Sequence, residues 1–430
     1  MKKTIHKDKH FLDINVVEAA KERIHHLYKT YDKVIVNFSG GKDSTALLYL
    51  TIEVARELGK LPVEATFFDH EIEGQSTLKF VKEVFDMEEV SMKWYAIPFI
   101  VRNACSITSP FWYAWNPLEK DIWVREIPEW ATTHLAGSKF IYDPNYKNPD
   151  GLPFKSNAVR DCSVMQDMCD LIADNYAKRG ISCINLAGIR AAESPARFTI
   201  MTRKKSECYI SSNVPVAYPI YDWFAKDVWK YTRETGLPYN TEYDLKQMTE
   251  SYNKLEQQRV GAIFAEESLR ALDQWPILYG EFWHKILERV EGVKTARMYH
   301  NEGIYTGTKP EKEEQVPWSI YTKRILESMT PKAKKMSVEQ MNRIITWHKN
   351  QTDFPISENE KDACPLTGIS WEFLARIAVR GDTKQRQLQR IPFKAKTARE
   401  KAGLTRDEAV NKYGSETYKK RYYGNQKETA

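Results

Sequence analysis

The segment Ser39-Gly40-Gly41-Lys42-Asp43-Ser44-Thr45 lies between an apolar run, Val34-Ile35-Val36-Asn37-Phe38, and a helical stretch, Ala46-Leu47-Leu48-Tyr49-Leu50. A strand that turns through glycines into a helix restricts the fold more than any other feature of the chain, because parallel strands need helical crossovers to connect them. With no Cβ at Gly40 and Gly41, the backbone can turn tightly and aim several N–H groups at one anion. Ser44 and Thr45 are expected to open the helix, whose unpaired amides and positive dipole end strengthen that attraction. The hydroxyls of Ser39, Ser44 and Thr45 can donate further hydrogen bonds. Asp43 is out of place in an anion pocket unless a cation accompanies the phosphates, as Mg2+ accompanies a nucleotide.

The elements around this turn alternate. Asn15 to Tyr31 carries apolar residues at helical spacing and leads into the first strand. Leu47, Leu50, Val54 and Leu58 continue the helix after the turn, and Gly59 is its expected stop. Val63 to Phe68 is a second predicted strand, Gln75 to Phe85 a helix, Ser91 to Ile97 a third strand, Cys162 to Arg179 a helix, and Ser182 to Ala187 a buried strand. The pattern predicts an α/β fold with a parallel sheet sandwiched by helices, whose ligands bind at the carboxyl ends of the strands. Asp69 and Gly188 stand at two such ends. The segment Gly188-Ile189-Arg190-Ala191-Ala192-Glu193-Ser194-Pro195-Ala196-Arg197 follows the last of these strands. Arg190 and Arg197 there can hold phosphate or sulfate oxygens bidentately, and Ser194 can donate a hydrogen bond.

The turn has the SGGxDS form of the PP-loop, the ATP pyrophosphatase motif, and not the spacing of a Walker A loop. Taken with the Gly188 to Arg197 segment, the run Tyr218-Pro219-Ile220-Tyr221-Asp222-Trp223-Phe224-Ala225-Lys226-Asp227-Val228-Trp229, and Gly236-Leu237-Pro238-Tyr239-Asn240, it resembles the phosphoadenosine phosphosulfate (PAPS) reductase family of PP-loop proteins over roughly residues 15 to 250. The long aromatic insert and extended C-terminal region are similar to the IbrA-type subfamily, which is associated with prophages and often found beside a ParB-like partner. The resemblance implies a fold like that of adenine nucleotide alpha hydrolases, with ATP or a PAPS-like nucleotide lying across the sheet. It implies that Ser39, Gly40, Gly41, Asp43, Ser44 and Thr45 hold phosphates and Mg2+, that Asp69 lies near the nucleoside, and that Arg190 and Arg197 meet a distal phosphate or sulfate, beside Gly188 and Ser194. Trp223 and Trp229 are expected to be structural.

The chain departs from the reductase pattern at its thiols. The C-terminal Glu-Cys-Gly-x-His motif that would supply the attacking thiolate is missing, and Cys364 lies in Asp362-Ala363-Cys364-Pro365-Leu366. The six cysteines show no CxxC pair and no zinc spacing, so no iron-sulfur cluster or zinc is expected. Cys162 and Cys169, seven apart on one predicted helix, are expected in the core. A reductase without its nucleophile has no mechanism. What remains is chemistry at the α-phosphate of ATP, with Lys42, Asp43 and Arg190 as candidate catalytic residues, or adenylyl transfer to a sulfate-like or nucleic-acid acceptor. The alternative is a non-catalytic nucleotide sensor or co-activator that works with a ParB-like protein or DNA, and a lesser alternative is a PAPS reductase.

At 430 residues the chain is long enough for two or three domains. The expected division is a nucleotide-binding domain over 1–250, with an aromatic insert at about 94–155, and a mostly helical region over 251–430. The insert's Trp94, Trp112, Trp115, Trp123 and Trp130 either stack bases or form a small subdomain core, and the usual burial of tryptophan favours the core. Asp143 to Gly151 reads as a loop returning to the sheet, and Glu302 to Val316 as a linker or lid. Leu255 to Leu272, Phe282 to Val290 and Met336 to Lys349 are predicted helices. From Arg380 to Ala430 there are 14 Lys and Arg against 6 Asp and Glu, while the whole chain carries only +6, so the basic excess belongs to the tail. That tail can track a nucleic-acid backbone, form a solvated or loosely ordered surface, or meet an acidic protein partner. No apolar run reaches the about 18 to 20 residues of a membrane span, and Met1 to His10 has no apolar core of a leader, so a cytoplasmic protein without membrane contact is expected.

Overall fold

Asn15 caps α1 (Val16–Thr30), its side-chain oxygen accepting from the amides of Val17 and Glu18 at 2.9 Å each. In the computed structural model, the described residues are 12–106, 109, 111–145, 159–194, 197–198, 201, 209–210, 215–248, 260, 264, 272, 274–298, 312–380 and 386–427. After α1 come β1 (Lys33–Asn37), α2 (Lys42–Glu57), β2 (Val63–Phe68), α3 (Gln75–Phe85) and β3 (Val90–Tyr95). The strands and helices fall close to their predicted places, and Gly59, at φ +63°, follows the end of α2. The start of α2 differs, at Lys42 instead of Ser44. Gly41 is extended and accepts the first helical bond from Thr45 N at 2.9 Å, which draws Lys42 and Asp43 into the first turn.

The chain then leaves the sheet for two antiparallel pairs, β4 (Phe99–Arg102) with β5 (Phe111–Ala114) and β6 (Phe140–Tyr142) with β7 (Val159–Cys162). It returns through α4 (Met165–Ala177), β8 (Cys183–Ala187) and β9 (Val216–Ala217). The helix predicted from Cys162 therefore begins three residues later, because Cys162 pairs with Phe140 in β7. Cys162 and Cys169 do not share a helix.

The central sheet is parallel throughout, in the order β3-β2-β1-β8-β9. Successive side chains of a strand face opposite sides. Val34 and Val36 accordingly join a core with α1, α2, α3 and the helix Ala225–Thr235, while Ile35 joins a second core with α4. This is the adenine nucleotide alpha hydrolase-like arrangement that the resemblance implied, with a largely helical C-terminal half. Trp223 is fully buried in the first core and donates its Nε1 hydrogen to Val16 O at 3.0 Å, and the half-buried Trp229 meets Tyr239 and Tyr243 edge-on, so both are packing residues.

The insert is mostly core. Trp94, Trp112 and Trp115 are buried, Trp123 is half-buried and Trp130 is exposed. Its second core reaches past residue 250: Phe99, Val101, Trp112 and Trp115 pack with Phe264, Trp275, Tyr279, Trp283, Ile286 and Val293. Further on, the helices Trp318–Ser328, Pro331–Lys349 and Trp371–Arg380 surround a third core. The basic tail folds as three helices, Arg386–Ala402, Arg406–Tyr413 and Glu416–Lys427. The predicted helices at Phe282 to Val290 and Met336 to Lys349 lie within Trp283–Arg289 and Pro331–Lys349. Most of the predicted helix at Leu255 to Leu272, most of the Glu302 to Val316 linker, and the Asp143 to Gly151 loop from residue 146 on lie outside the described residues. Among the described residues no helix is long and apolar enough to cross a membrane.

Candidate functional site

The sheet order reverses between β1 and β8. From β1 the chain moves outward through β2 and β3, and from β8 it moves the other way to β9. A crevice opens outside the carboxyl ends of the strands at such a switch point. Here those two ends carry the glycine turn and the Gly188 to Arg197 segment, so residues about 150 apart in sequence meet.

Gly40 makes the turn possible. Its φ is +67°, and a Cβ there would sit 2.9 Å from Val81 Cγ2 and 3.1 Å from Thr77 Cγ2. Ser39 is exposed, and its amide and hydroxyl lie 3.1 and 3.0 Å from Ser44 Oγ. Ser44 and Thr45 donate their hydroxyls to Gly41 O at 3.0 and 2.9 Å. Those hydroxyls therefore brace the turn in this state. Gly188 serves close packing: a Cβ there would lie 2.8 Å from the backbone of Asp43 and Ser44. The end of β8 thus rests on the first turn of α2.

That contact brings Arg190 to Asp43. Arg190 Nε donates to Asp43 Oδ1 at 2.5 Å, and Lys42 Nζ lies 3.4 Å from Asp43 Oδ2. The Lys42 and Arg190 side chains are 3% and 5% exposed, against 17% for Asp43, so two buried cations converge on a carboxylate that solvent can reach. Such a carboxylate beside an amide-rich turn suits Mg2+, which takes one or two carboxylates with substrate phosphates and water. Among the described residues no group of three or more His, Cys, Asp or Glu is placed to hold a metal by itself.

Several partners of the turn were not visible as such in the sequence. Tyr243 is buried; its hydroxyl accepts from Lys42 N at 3.0 Å, and its ring centroid lies 5.5 Å from Lys42 Nζ. Burial pushes the Tyr243 phenol up, which keeps it neutral. Asn240 donates to Gly40 O at 3.1 Å and to Thr77 Oγ1 at 2.8 Å, and Thr77 donates to Glu242 Oε2 at 2.5 Å. Of these, only Asn240 lay in a motif the sequence had singled out, Gly236-Leu237-Pro238-Tyr239-Asn240, where it had no assigned role.

Asp69 and Arg197 are placed differently. Asp69, the residue after β2, is fully buried: Oδ1 accepts from Glu71 N at 2.8 Å and from Arg125, and Oδ2 from Trp94 Nε1 at 2.7 Å. Its carboxylate ties the sheet to the insert through Arg125 and Trp94. Arg197 pairs with Glu193, which also accepts from Arg190 N at 2.9 Å, while Ser194 Oγ accepts from Arg197 N at 3.2 Å. Glu193 thereby joins Arg190 to Arg197 next to the Asp43 cluster.

An acidic turn follows Asp69. Half-buried His70 holds Glu73 Oε1 2.9 Å from its Nδ1. Burial lowers the imidazole pKa, but the hydrogen bond and charge of Glu73, with Asp69 behind, outweigh it and the net shift is upward. The stability this provides is fully present below the unfolded value of about 6.5 and is lost as pH rises through the higher folded value. Thermal melts should therefore show the gap between the wild type and His70→Gln narrowing from about pH 6.5 upward. A gap that widens over that range would contradict the pairing.

The five described thiols are held in the packed interior, Cys169 half-buried and the others buried. Burial pushes Cys105, Cys162 and Cys183 up to about 12 and Cys169 up to about 11, and Cys364 is fully buried. Cys208 lies outside the described residues.

Three family descriptions match the chain: PP-loop domain over residues 15–107, phosphoadenosine phosphosulfate reductase domain over 153–263, and a domain of unknown function (DUF3440) over 253–361. Among curated proteins the chain is 27% identical to Uncharacterized protein YbdN of Escherichia coli K12, across 90% of this chain and 93% of that one. It is 28% identical to Uncharacterized protein MJ0066 of Methanocaldococcus jannaschii, across 50% of this chain and 35% of that protein. Among solved structures it resembles Candida glabrata FMN adenylyltransferase in complex with ATP at 12% identity and TM-score 0.30, covering 53% of this chain and 57% of that one. It also resembles a Candida auris PAPS reductase at 13% identity and TM-score 0.28, covering 54% and 85%. The two matched domains place this chain in the PP-loop superfamily, with a PAPS reductase domain.

Proposed function

We propose that this PP-loop protein binds ATP with Mg2+ at the β1/β8 crevice and cleaves it between the α- and β-phosphates. An ionised acceptor, sulfate-like or a nucleic-acid group, attacks the α-phosphorus. The bond from that phosphorus to the bridging oxygen breaks, the adenylyl group joins the acceptor, and pyrophosphate leaves with the electron pair. The observation that carries this reading is the convergence of buried Lys42 and Arg190 on Asp43 at an amide-rich turn.

Each part has a task. The exposed Ser39 and the amides of the turn orient phosphate oxygens, and the N-terminal end of α2 adds positive potential. Arg190 and Lys42 stabilise charge on the departing pyrophosphate, because both are largely buried and held in place beside Asp43. Asp43 keeps the two cations positioned and would hold the magnesium ion, which when bound neutralises phosphate charge. An acceptor that is already ionised needs no general base.

Pyrophosphate release measured with ATP-Mg2+ and candidate acceptors tests the reading. Turnover that requires an acceptor supports transfer, and turnover with water alone supports simple α–β cleavage. Saturable ATP binding without turnover would replace this proposal with a nucleotide-sensing regulator, the role in which a ParB-like partner of the IbrA type would enter. A cytoplasmic site of action is part of the same proposal.

A further inference from the structure

The basic tail folds around a hollow of about 470 Å³ in the C-terminal helices. Arg399, Arg406 and Arg421 line it together with Trp347, Asn350 and Tyr418. None of these arginines has a carboxylate partner among the described residues. Instead, Arg406 lies 5.3 Å from the Tyr422 ring centroid and Arg421 lies 5.3 Å from that of Tyr418. Burial, and then the charge of Arg406, hold Arg399 below its ordinary pKa. Guanidinium groups gathered in this way, with no salt bridge to a carboxylate among the described residues, favour an anionic ligand.

The shape is elongated. A second hollow of about 510 Å³, lined by Asn342, Arg343 and Thr346, shares Trp347 and Asn350 with the first. From Asn342 to Thr346, the stretch that the first hollow does not share, the helix rises about 6 Å at 1.5 Å per residue, room for about one nucleotide beyond what the first hollow holds. Glu339 borders the far end, so positive charge concentrates at the tail arginines. Half-buried Trp347 sits at the junction, where an indole can stack a base, and the Asn350 amide can meet a base edge. A lipid surface would call for exposed apolar side chains, and none of the large exposed apolar residues lies on the three tail helices where side chains are described.

We propose that this groove binds single-stranded nucleic acid, with phosphates at Arg399, Arg406 and Arg421 and a base on Trp347. The site is separate from the nucleotide crevice and does not depend on its chemistry.

The test uses the full chain and fluorescein-labelled oligonucleotides of about 20 nucleotides, oligo-dT and oligo-rU, followed by anisotropy from about 0.05 to 0.3 M salt. The exposed pair Arg406→Gln/Arg421→Gln should bind at least about tenfold more weakly, with a log–log salt slope shallower by about 1.4, or 0.7 for each lost phosphate contact. Trp347→Ala should weaken binding by about 5- to 150-fold with the slope retained. Asp43→Ala should bind like the wild type, which separates this site from the crevice. Wild-type chain that fails to bind at micromolar concentration would overturn the proposal. So would an arginine pair variant that is folded and unchanged in affinity and slope. Equal binding of a duplex with no effect of Trp347→Ala would overturn the single-strand assignment, and tighter binding of an acidic or phosphorylated peptide at the same arginines would assign the groove to a protein.

Discussion

Arg289→Met is expected to destabilise the protein by about 3 to 5 kcal/mol, read as a lower denaturation midpoint in urea. Arg289 grips Glu71 with two bonds, Nε to Oε1 at 2.7 Å and Nη2 to Oε2 at 3.0 Å, and both side chains are removed from solvent. It also donates to Tyr113 O at 2.6 Å and pairs with Glu119. Glu71 in turn accepts from the amides of Trp115 at 2.8 Å and Val124 at 3.2 Å. Its own backbone is left-handed, with φ +67°, a conformation a non-glycine residue adopts only when its surroundings enforce it. Methionine fills much of the volume but leaves the Glu71 charge buried without its partner, and that is the source of the large effect. The double variant Glu71→Gln/Arg289→Met should recover part of the loss, because no charge is then stranded. A single variant within about 1 kcal/mol of the wild type would mean that this pair does not hold the insert in place.

Asp43→Ala should abolish ATP-Mg2+ binding in calorimetry and lower pyrophosphate release by about two orders of magnitude, the scale of losing one fixed electrostatic element at a reacting phosphate. The chain should stay folded, since Asp43 lies at the rim of the crevice, although Lys42 and Arg190 lose their counter-charge and the melting temperature falls. Asp43→Asn separates the two contributions. It keeps an oxygen for Arg190 Nε but no charge for a metal, so it should restore stability more than ATP affinity. Unchanged ATP affinity in Asp43→Ala would remove this carboxylate from the site.

What was legible in the sequence was local. The alternation of strands and helices, the glycine turn and the stop at Gly59 depend on residues a few positions apart, and periodicity and turn chemistry report such features directly. The two-residue strand Val216–Ala217 is too short to show a period, the pair β4 and β5 lies in aromatic and apolar runs, and β7, Val159-Arg160-Asp161-Cys162, shows no apolar alternation. Burial of Lys42 was hidden for another reason. A lysine beside glycines gives no sign that Tyr243 will cover it, because that contact joins positions 201 residues apart. Asp69 shows a related gap. Its place at a strand end was readable, but not the saturation of its carboxylate by Trp94, Arg125 and Glu71, which depends on how the insert folds back.

The second core has a consequence for the order in which the molecule can assemble. It joins β4, β5 and the residues around Trp115 to Trp275, Trp283 and Val293. A ribosome extends the first half of the nucleotide-binding sheet long before it supplies those partners, so the apolar face of the insert stays uncovered while well over a hundred further residues are made. Closing loops of this length slows folding, and exposed aromatic surface in the interval invites association between nascent chains. The insert and the helices beyond residue 274 therefore form one assembly step, and the crevice beside them reaches its final form only when that step is complete.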